Sequence, residues 1–169
     1  MYLSVNQVYA KSDSQLAKNE KNDCVVRSIA SAANVAYDVA HTFCKEVFDR
    51  KDKKGVQGFT IKTQMLKAED SGLKIGNKEF KVTSLGKKDL RNRYKVNGEV
   101  IWRKKTLKSF IESHQKGTYL VTVSNHALTV KDGELLDWGT NKFLPTRKVM
   151  DGYKLEGVSN DGVQLSFDF

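Results

Sequence analysis

A chain of 169 residues, 39% apolar and 9% aromatic, makes one domain over residues 1–169, able to bury a core without disulfide or metal staples. No apolar run approaches membrane-spanning length, and Met1-Tyr2-Leu3-Ser4 lacks the basic and apolar regions of a secretory signal, so a soluble cytoplasmic protein with no membrane partner is expected. Two cysteines make no disulfide framework, and the net charge of +9 gathers at Arg50-Lys51-Asp52-Lys53-Lys54, Lys87 to Lys95 and Arg103-Lys104-Lys105. These clusters read first as a solvated lysine-rich surface, able to attract an acidic protein. Nucleic acid is the weaker reading, because no helix-turn-helix, zinc-finger or aromatic-rich RNA-binding signature accompanies the charge.

The first 20 residues are polar and are expected to drape over the surface. From Cys24, apolar side chains at Val25, Val26, Ile29, Ala30, Ala33 and Ala36 fall at helical spacing. Asn22 or Asp23 can cap this helix, and Asp23 stands four residues before Arg27, which suits an ion pair on one face. A second helix is predicted over Tyr37 to Asp49, with the apolar pairs Val39/Ala40, Phe43/Cys44 and Val47/Phe48 facing the core. Cys44 lies on that stripe and reads as structural, whereas His41 falls off it and reads as a surface histidine. Gly55 and Gly58 mark a loop, and a third helix is predicted near Ile61 to Asp70, ending before Gly72.

Residues 74 to 104 carry weaker signals, with short strands expected at Phe80-Lys-Val and Glu99-Val-Ile-Trp. A short helix over Thr106 to Ser113 brings Leu107, Phe110 and Ile111 to one side, and His114 ends it as a surface residue. Gly117 then breaks the chain. Strands are predicted at Tyr119–Val123, His126–Lys131 and Glu134–Trp138, with one or two more between Lys148 and Phe167. Helices first and strands later indicate an α+β domain with an antiparallel sheet.

Asp132-Gly133 is a strong two-residue hairpin signal, because both central positions of the favoured turn need positive φ. In that register Lys131 pairs with Glu134, and His126, Leu128 and Val130 share a face with Leu135 and Asp137. Asp137 then lies diagonal to His126, while Trp138 points to the other face and packs on the sheet. Cys24, at a helix N-terminus, meets free N–H donors and the positive end of the dipole, which favour a thiolate. A thiolate needs a base, and the base needs an orienting group; Cys24, His126 and Asp137 have the residue types and chain order for this. The amides of Asn19 and Asn22 are candidates to join the Cys24 backbone N–H in holding an oxyanion. The plainer readings stand beside this one: Cys24 as a small apolar residue, His126 as a hydrogen-bonded strand histidine and Asp137 as a polar strand end. No metal spacing is present, and Gly55-Val-Gln-Gly58 lacks the Lys-Ser/Thr of a phosphate loop, so no cofactor is expected.

The segment Asn22-Asp23-Cys24-Val25-Val26-Arg27-Ser28-Ile29-Ala30 resembles the opening of small papain-like cysteine peptidases encoded by tailed bacteriophages. The segment from His126 to Asp137 resembles their His-x-x-x-Val-x-x-Gly-x-x-x-Asp partner. A looser similarity reaches the leader peptidases of peptide-exporting transporters, although the glycine that follows their cysteine is Val25 here. The resemblance covers two blocks of the chain. It implies a nucleophile-bearing helix packed on an antiparallel sheet, with Cys24 as nucleophile, His126 as general base and Asp137 as orienting acid. Papain's oxyanion glutamine would fall on Lys18, which leaves Asn19 and Asn22 as the nearby amides.

Two functions follow from the resemblance. The first is a cysteine peptidase or isopeptidase acting on an amide bond of a protein or peptide substrate in the host bacterial cytoplasm, with transamidation or deamidation open to the same residues. The alternative is a catalytically silent papain-like scaffold that binds or inhibits a host factor, since fold alone does not set activity.

Overall fold

The computed structural model describes residues 2–4, 14–137 and 144–158. After a short first strand, β1 (Tyr2–Ser4), the chain enters its helical half: α1 (Gln15–Asn19), α2 (Cys24–Ala33), α3 (Tyr37–Val47) and α4 (Gly58–Ser71). The remainder is mostly strand: β2 (Leu73–Ile75), β3 (Lys78–Ser84), β4 (Arg91–Val96), β5 (Glu99–Lys104), β6 (Thr118–Val123), β7 (His126–Lys131), β8 (Glu134–Asp137) and β9 (Val149–Val158). Two short helices, α5 (Lys87–Leu90) and α6 (Leu107–Ser113), flank the β4–β5 hairpin. The architecture is the α+β arrangement expected from helices preceding strands.

The main sheet has the order β1-β8-β7-β6-β9-β3-β2, and β4-β5 forms a separate hairpin. Six strands are antiparallel, and β1 joins the β8 edge in parallel, with Ser4 opposite Asp137. On one face, Val26 and Ile29 of α2, Phe43 and Cys44 of α3, and Met65 of α4 pack with Leu120, Ala127 and Leu155. On the other, Leu107 and Phe110 of α6 cover Val121, Leu128, Val130 and Leu135. A fully buried side chain of this size contributes roughly 1.5–3 kcal/mol relative to exposure, so covering both faces accounts for how 169 residues sustain a seven-stranded sheet.

Helix α2 is tied to the sheet away from its start. Thr129 Oγ1 on β7 donates to the Ser28 carbonyl at 2.7 Å, a buried bond. At the far end Asn34 takes a left-handed conformation (φ 52°), and Lys78 Nζ donates to the carbonyls of Ala33 (3.2 Å) and Asn34 (2.7 Å). A cation there satisfies orphan carbonyls and complements the helix dipole. The N-terminal turn, which carries Cys24, is thereby held in place from behind.

Several expectations change in the folded chain. The 1–20 segment is more than a surface drape: β1 extends the sheet, and the Glu20 side chain is buried. His41 and His114 are buried instead of surface histidines, because tertiary partners reach them from outside their own helices or stack on them. His114 lies on the Phe110 ring, with centroids 4.1 Å apart, and its Nδ1 donates to the Phe110 carbonyl. Arg50 and Lys105, counted among the surface clusters, are also buried. The third helix begins three residues earlier than its apolar spacing suggested, at Gly58. Trp138 and the strand sought beyond Val158 lie outside the described residues.

Candidate active site

The site begins in the four residues before α2. Glu20 Oε2 accepts from Arg50 Nη1 and from His41 Nε2 (2.8 Å), while Glu20 Oε1 accepts from the Lys53 backbone N–H (2.9 Å). Arg50 Nη2 donates to the Lys21 carbonyl (3.1 Å), and Asn22 Nδ2 donates to the Lys53 carbonyl (3.0 Å). The 20–22 segment is thus stitched to the 50–53 loop on both its sides. Burial alone would raise the Glu20 pKa, but the hydrogen bonds from Arg50 and His41 outweigh it and hold this carboxyl below its ordinary value. Asn22 itself has φ 52°, a left-handed conformation that asparagine tolerates better than most residues.

Asp23 occupies the N-cap position of α2, yet its side chain makes no cap hydrogen bond. Its Oδ2 instead accepts from Arg27 Nε (3.0 Å) and from the buried Tyr37 hydroxyl (2.7 Å). The Asp23–Arg27 pair is the one its spacing indicated; the expected capping gives way to it. The carboxylate accepts from these two donors instead of capping the first turn beside Cys24.

Cys24 is half-buried at the first position of α2, and His126 is the first residue of β7. The Cys24 thiol lies beside the His126 ring, near enough to help raise the ring's pKa. Across the hairpin, His126 Nε2 lies 3.1 Å from Asp137 Oδ1 and 3.0 Å from Oδ2. The carboxylate thus faces the Nε2 side of the ring. The register that brings Asp137 here is the two-residue one: Lys131 pairs with Glu134 and Val130 with Leu135, and Asp132 and Gly133 both have positive φ. Burial lowers the His126 pKa, but the bond to Asp137, the neighbouring Cys24 and the negative charges of both outweigh it, pushing it up to about 9. Cys44, by contrast, is fully buried, both cysteines are free thiols, and burial pushes the Cys44 thiol up to about 12.

A cleft of about 710 Å³ opens over Cys24 and His126, within the range of small-ligand sites. Asn22 lines it; Asn19, exposed at the end of α1, does not, so of the two oxyanion amides only Asn22 is brought to the thiol. One wall comes from Val56, Gln57 and Phe59, the other from Asn125 and Met150. The Gly55–Gly58 stretch, expected as a loop and lacking the signature of a phosphate site, forms part of the cleft wall. Sequence reading missed Glu20, His41 and Arg50. A charge-dense run such as Arg50-Lys51-Asp52-Lys53 gives no signal for which member turns inward.

Glu20, His41 and Asp52 bring potential metal-ligand atoms within 4.8 Å of one another. Arg50 Nη1 already supplies a cation to Glu20 and stands 3.5 Å from His41 Nε2, so the guanidinium competes for the position a metal would take. Among the described residues no helix is long and apolar enough to cross a membrane. No protein-family model, curated protein or solved structure matches the chain.

Proposed function

We propose that the chain is a papain-like cysteine hydrolase that cleaves an amide or isopeptide bond of a protein or peptide. The observation that carries this reading is His126, bonded to Asp137 and set beside Cys24 in one cleft. That is the arrangement nucleophilic thiol chemistry requires: nucleophile, base and a group orienting the base.

In this reading Cys24 gives its proton to His126, and the sulfur attacks the substrate carbonyl. The oxyanion accepts hydrogen bonds from the Cys24 backbone N–H and from Asn22, whose amide keeps a second hydrogen beyond the one given to Lys53. His126 protonates the departing amine as the C–N bond breaks, leaving a thioester on Cys24. Water, deprotonated by His126, attacks the thioester; the acid leaves, and Cys24 recovers its proton. Asp137 holds the ring and stabilises the imidazolium throughout.

The test is labelling by iodoacetamide near neutral pH, read by peptide mass, followed by a burst assay with p-nitrophenyl acetate as acyl donor. Selective alkylation of Cys24 over Cys44, and a burst lost in Cys24→Ala, are expected. Equal inertness of both thiols would overturn the reading and leave a binding scaffold.

A further inference from the structure

The cleft over Cys24 shares its far wall with another cavity. Met150 and Asp151 also line a second groove of about 330 Å³, whose sides carry Lys62, Lys87, Arg91 and Lys104. Lys62 follows directly on the turn of α4 that walls the catalytic cleft; Lys87 belongs to α5; Arg91 and Lys104 close the base of the β4–β5 hairpin. Asp151 is the one carboxylate lining either cavity among the described residues.

The charge here is costly to the fold, and the described residues do little to neutralise it. Arg91 and Lys104 stand directly opposite each other in the hairpin, a like-charge pairing that destabilises a sheet. None of the four cations forms an ion pair with a carboxylate among the described residues. Two are steadied by neutral partners: Lys87 Nζ lies 4.9 Å from the centre of the Trp102 ring, and Lys104 Nζ contacts Met150 Sδ at 3.2 Å. Such contacts fix a side chain and leave its charge for an outside anion.

We propose that this groove is a subsite for the acidic side chains of the same polypeptide whose amide bond reaches Cys24. The inference rests on the acyl-transfer reading of Cys24 and adds a substrate class to it. A groove adjoining the cleft of an acyl-transfer thiol suits the flank of an acyl substrate, which is a polypeptide; a nucleic acid offers phosphodiesters that this chemistry does not use. The junction sets the spacing. Met150, exposed, and Asp151 favour an uncharged residue next to the scissile bond, with aspartate or glutamate one or more positions further along.

The experiment compares chloroacetyl-bearing peptides identical except for a tail of three glutamates or three lysines, each tail placed on either side of the reactive group. The readout is the second-order rate of Cys24 alkylation, with iodoacetamide as a reagent too small to reach the groove. In one orientation the glutamate peptide should react about tenfold faster than the lysine peptide, with the advantage shrinking as salt screens it. Lys62→Gln, Arg91→Gln and Lys104→Gln together should remove the advantage and leave the iodoacetamide rate unchanged, whereas Lys67→Gln with Lys116→Gln should not. Equal rates for the two tails, an advantage that survives the groove substitutions, or stronger protection of Cys24 by oligothymidylate than by a glutamate peptide would overturn the proposal. If iodoacetamide itself fails to modify Cys24, the hydrolase reading falls. Fluorescence anisotropy of a labelled glutamate peptide then decides the groove alone, supporting it if binding is lost in the triple variant and refuting it if not.

Discussion

His126 Nε2 meets both carboxylate oxygens of Asp137, at 3.0 and 3.1 Å, across a hairpin turned by Asp132 and Gly133. A turn one residue longer would rotate Asp137 to the other face and leave the imidazole without its partner. The edge of β8 is covered in turn by β1, which pairs Ser4 with Asp137. The strand that carries the Asp137 carboxylate is therefore paired on both sides, which holds it opposite the His126 ring.

Asp137→Asn should keep the fold, since the amide oxygen can still accept from the ring, but should remove the charge that supports the imidazolium. The His126 midpoint, read by NMR titration of the imidazole, should fall from about 9 by roughly one to three pH units. The pH dependence of stability has a definite sign. A histidine whose folded pKa is raised from 6.5 to about 9 contributes stability fully below pH 6.5 and loses it as pH rises through 9. The Tm gap between wild type and Asp137→Asn should be widest near pH 6 and close towards pH 10. A gap independent of pH would contradict the His126–Asp137 coupling.

Cys44→Ala should separate the two thiols. Its side chain is fully buried in the core on the helical face of the sheet, so its loss should cost about 1–3 kcal/mol in urea unfolding. The rate of Cys24 alkylation in the folded variant should match wild type. A stable Cys44→Ala protein with an unreactive Cys24 would show that the roles of the two cysteines are wrongly assigned.

The parts of this site legible in the sequence are those set by local rules. Asp132-Gly133 demands its turn, which fixes the facing of His126 and Asp137. The apolar stripe that buries Phe43 and Cys44 also follows from spacing along a single helix. What escaped reading is set by tertiary partners. His41 is polar and off the centre of that stripe, and it goes inside only because Glu20 arrives from another element to bond it. Arg50 looks like its lysine neighbours until a buried carboxylate and the Lys21 carbonyl claim it. Tyr2–Ser4 is too short to signal a strand and becomes one because β8 offers an open edge.

Removing Arg50 should be among the most damaging changes outside the triad. Arg50→Met leaves the buried Glu20 carboxylate without its main cation, a loss of about 3–5 kcal/mol for a broken buried pair. Glu20→Gln should be destabilising for the reciprocal reason, and the double variant should recover part of the sum, as measured by chemical denaturation. Because the Glu20 pKa is held low, its contribution is present above pH 4.5 and is lost as pH falls through its folded value. Glu20→Gln should accordingly be less sensitive to acid than wild type. Strict additivity in the double-mutant cycle would show that the pair is not coupled.

Asn22 and Asn19 give the sharpest test of the oxyanion assignment, because only Asn22 reaches the cleft. Asn22 has φ 52°, so alanine there would add backbone strain to the loss of the amide and confuse the result. Asn22→Gly removes the amide and keeps a residue at ease with positive φ. It also removes the bond to the Lys53 carbonyl, which a thermal melt will register separately. Loss of one oxyanion donor lowers turnover by about 10²–10³-fold in enzymes of this chemistry, whereas removal of a remote surface amide does nothing. With p-nitrophenyl acetate, acylation of Cys24 should slow markedly in Asn22→Gly and remain at the wild-type rate in Asn19→Ala. The alkylation rate with iodoacetamide, which builds no oxyanion, should stay close to wild type in both. An Asn22→Gly protein that acylates normally would move the oxyanion role to another donor lining the cleft, Gln57 being the first to replace.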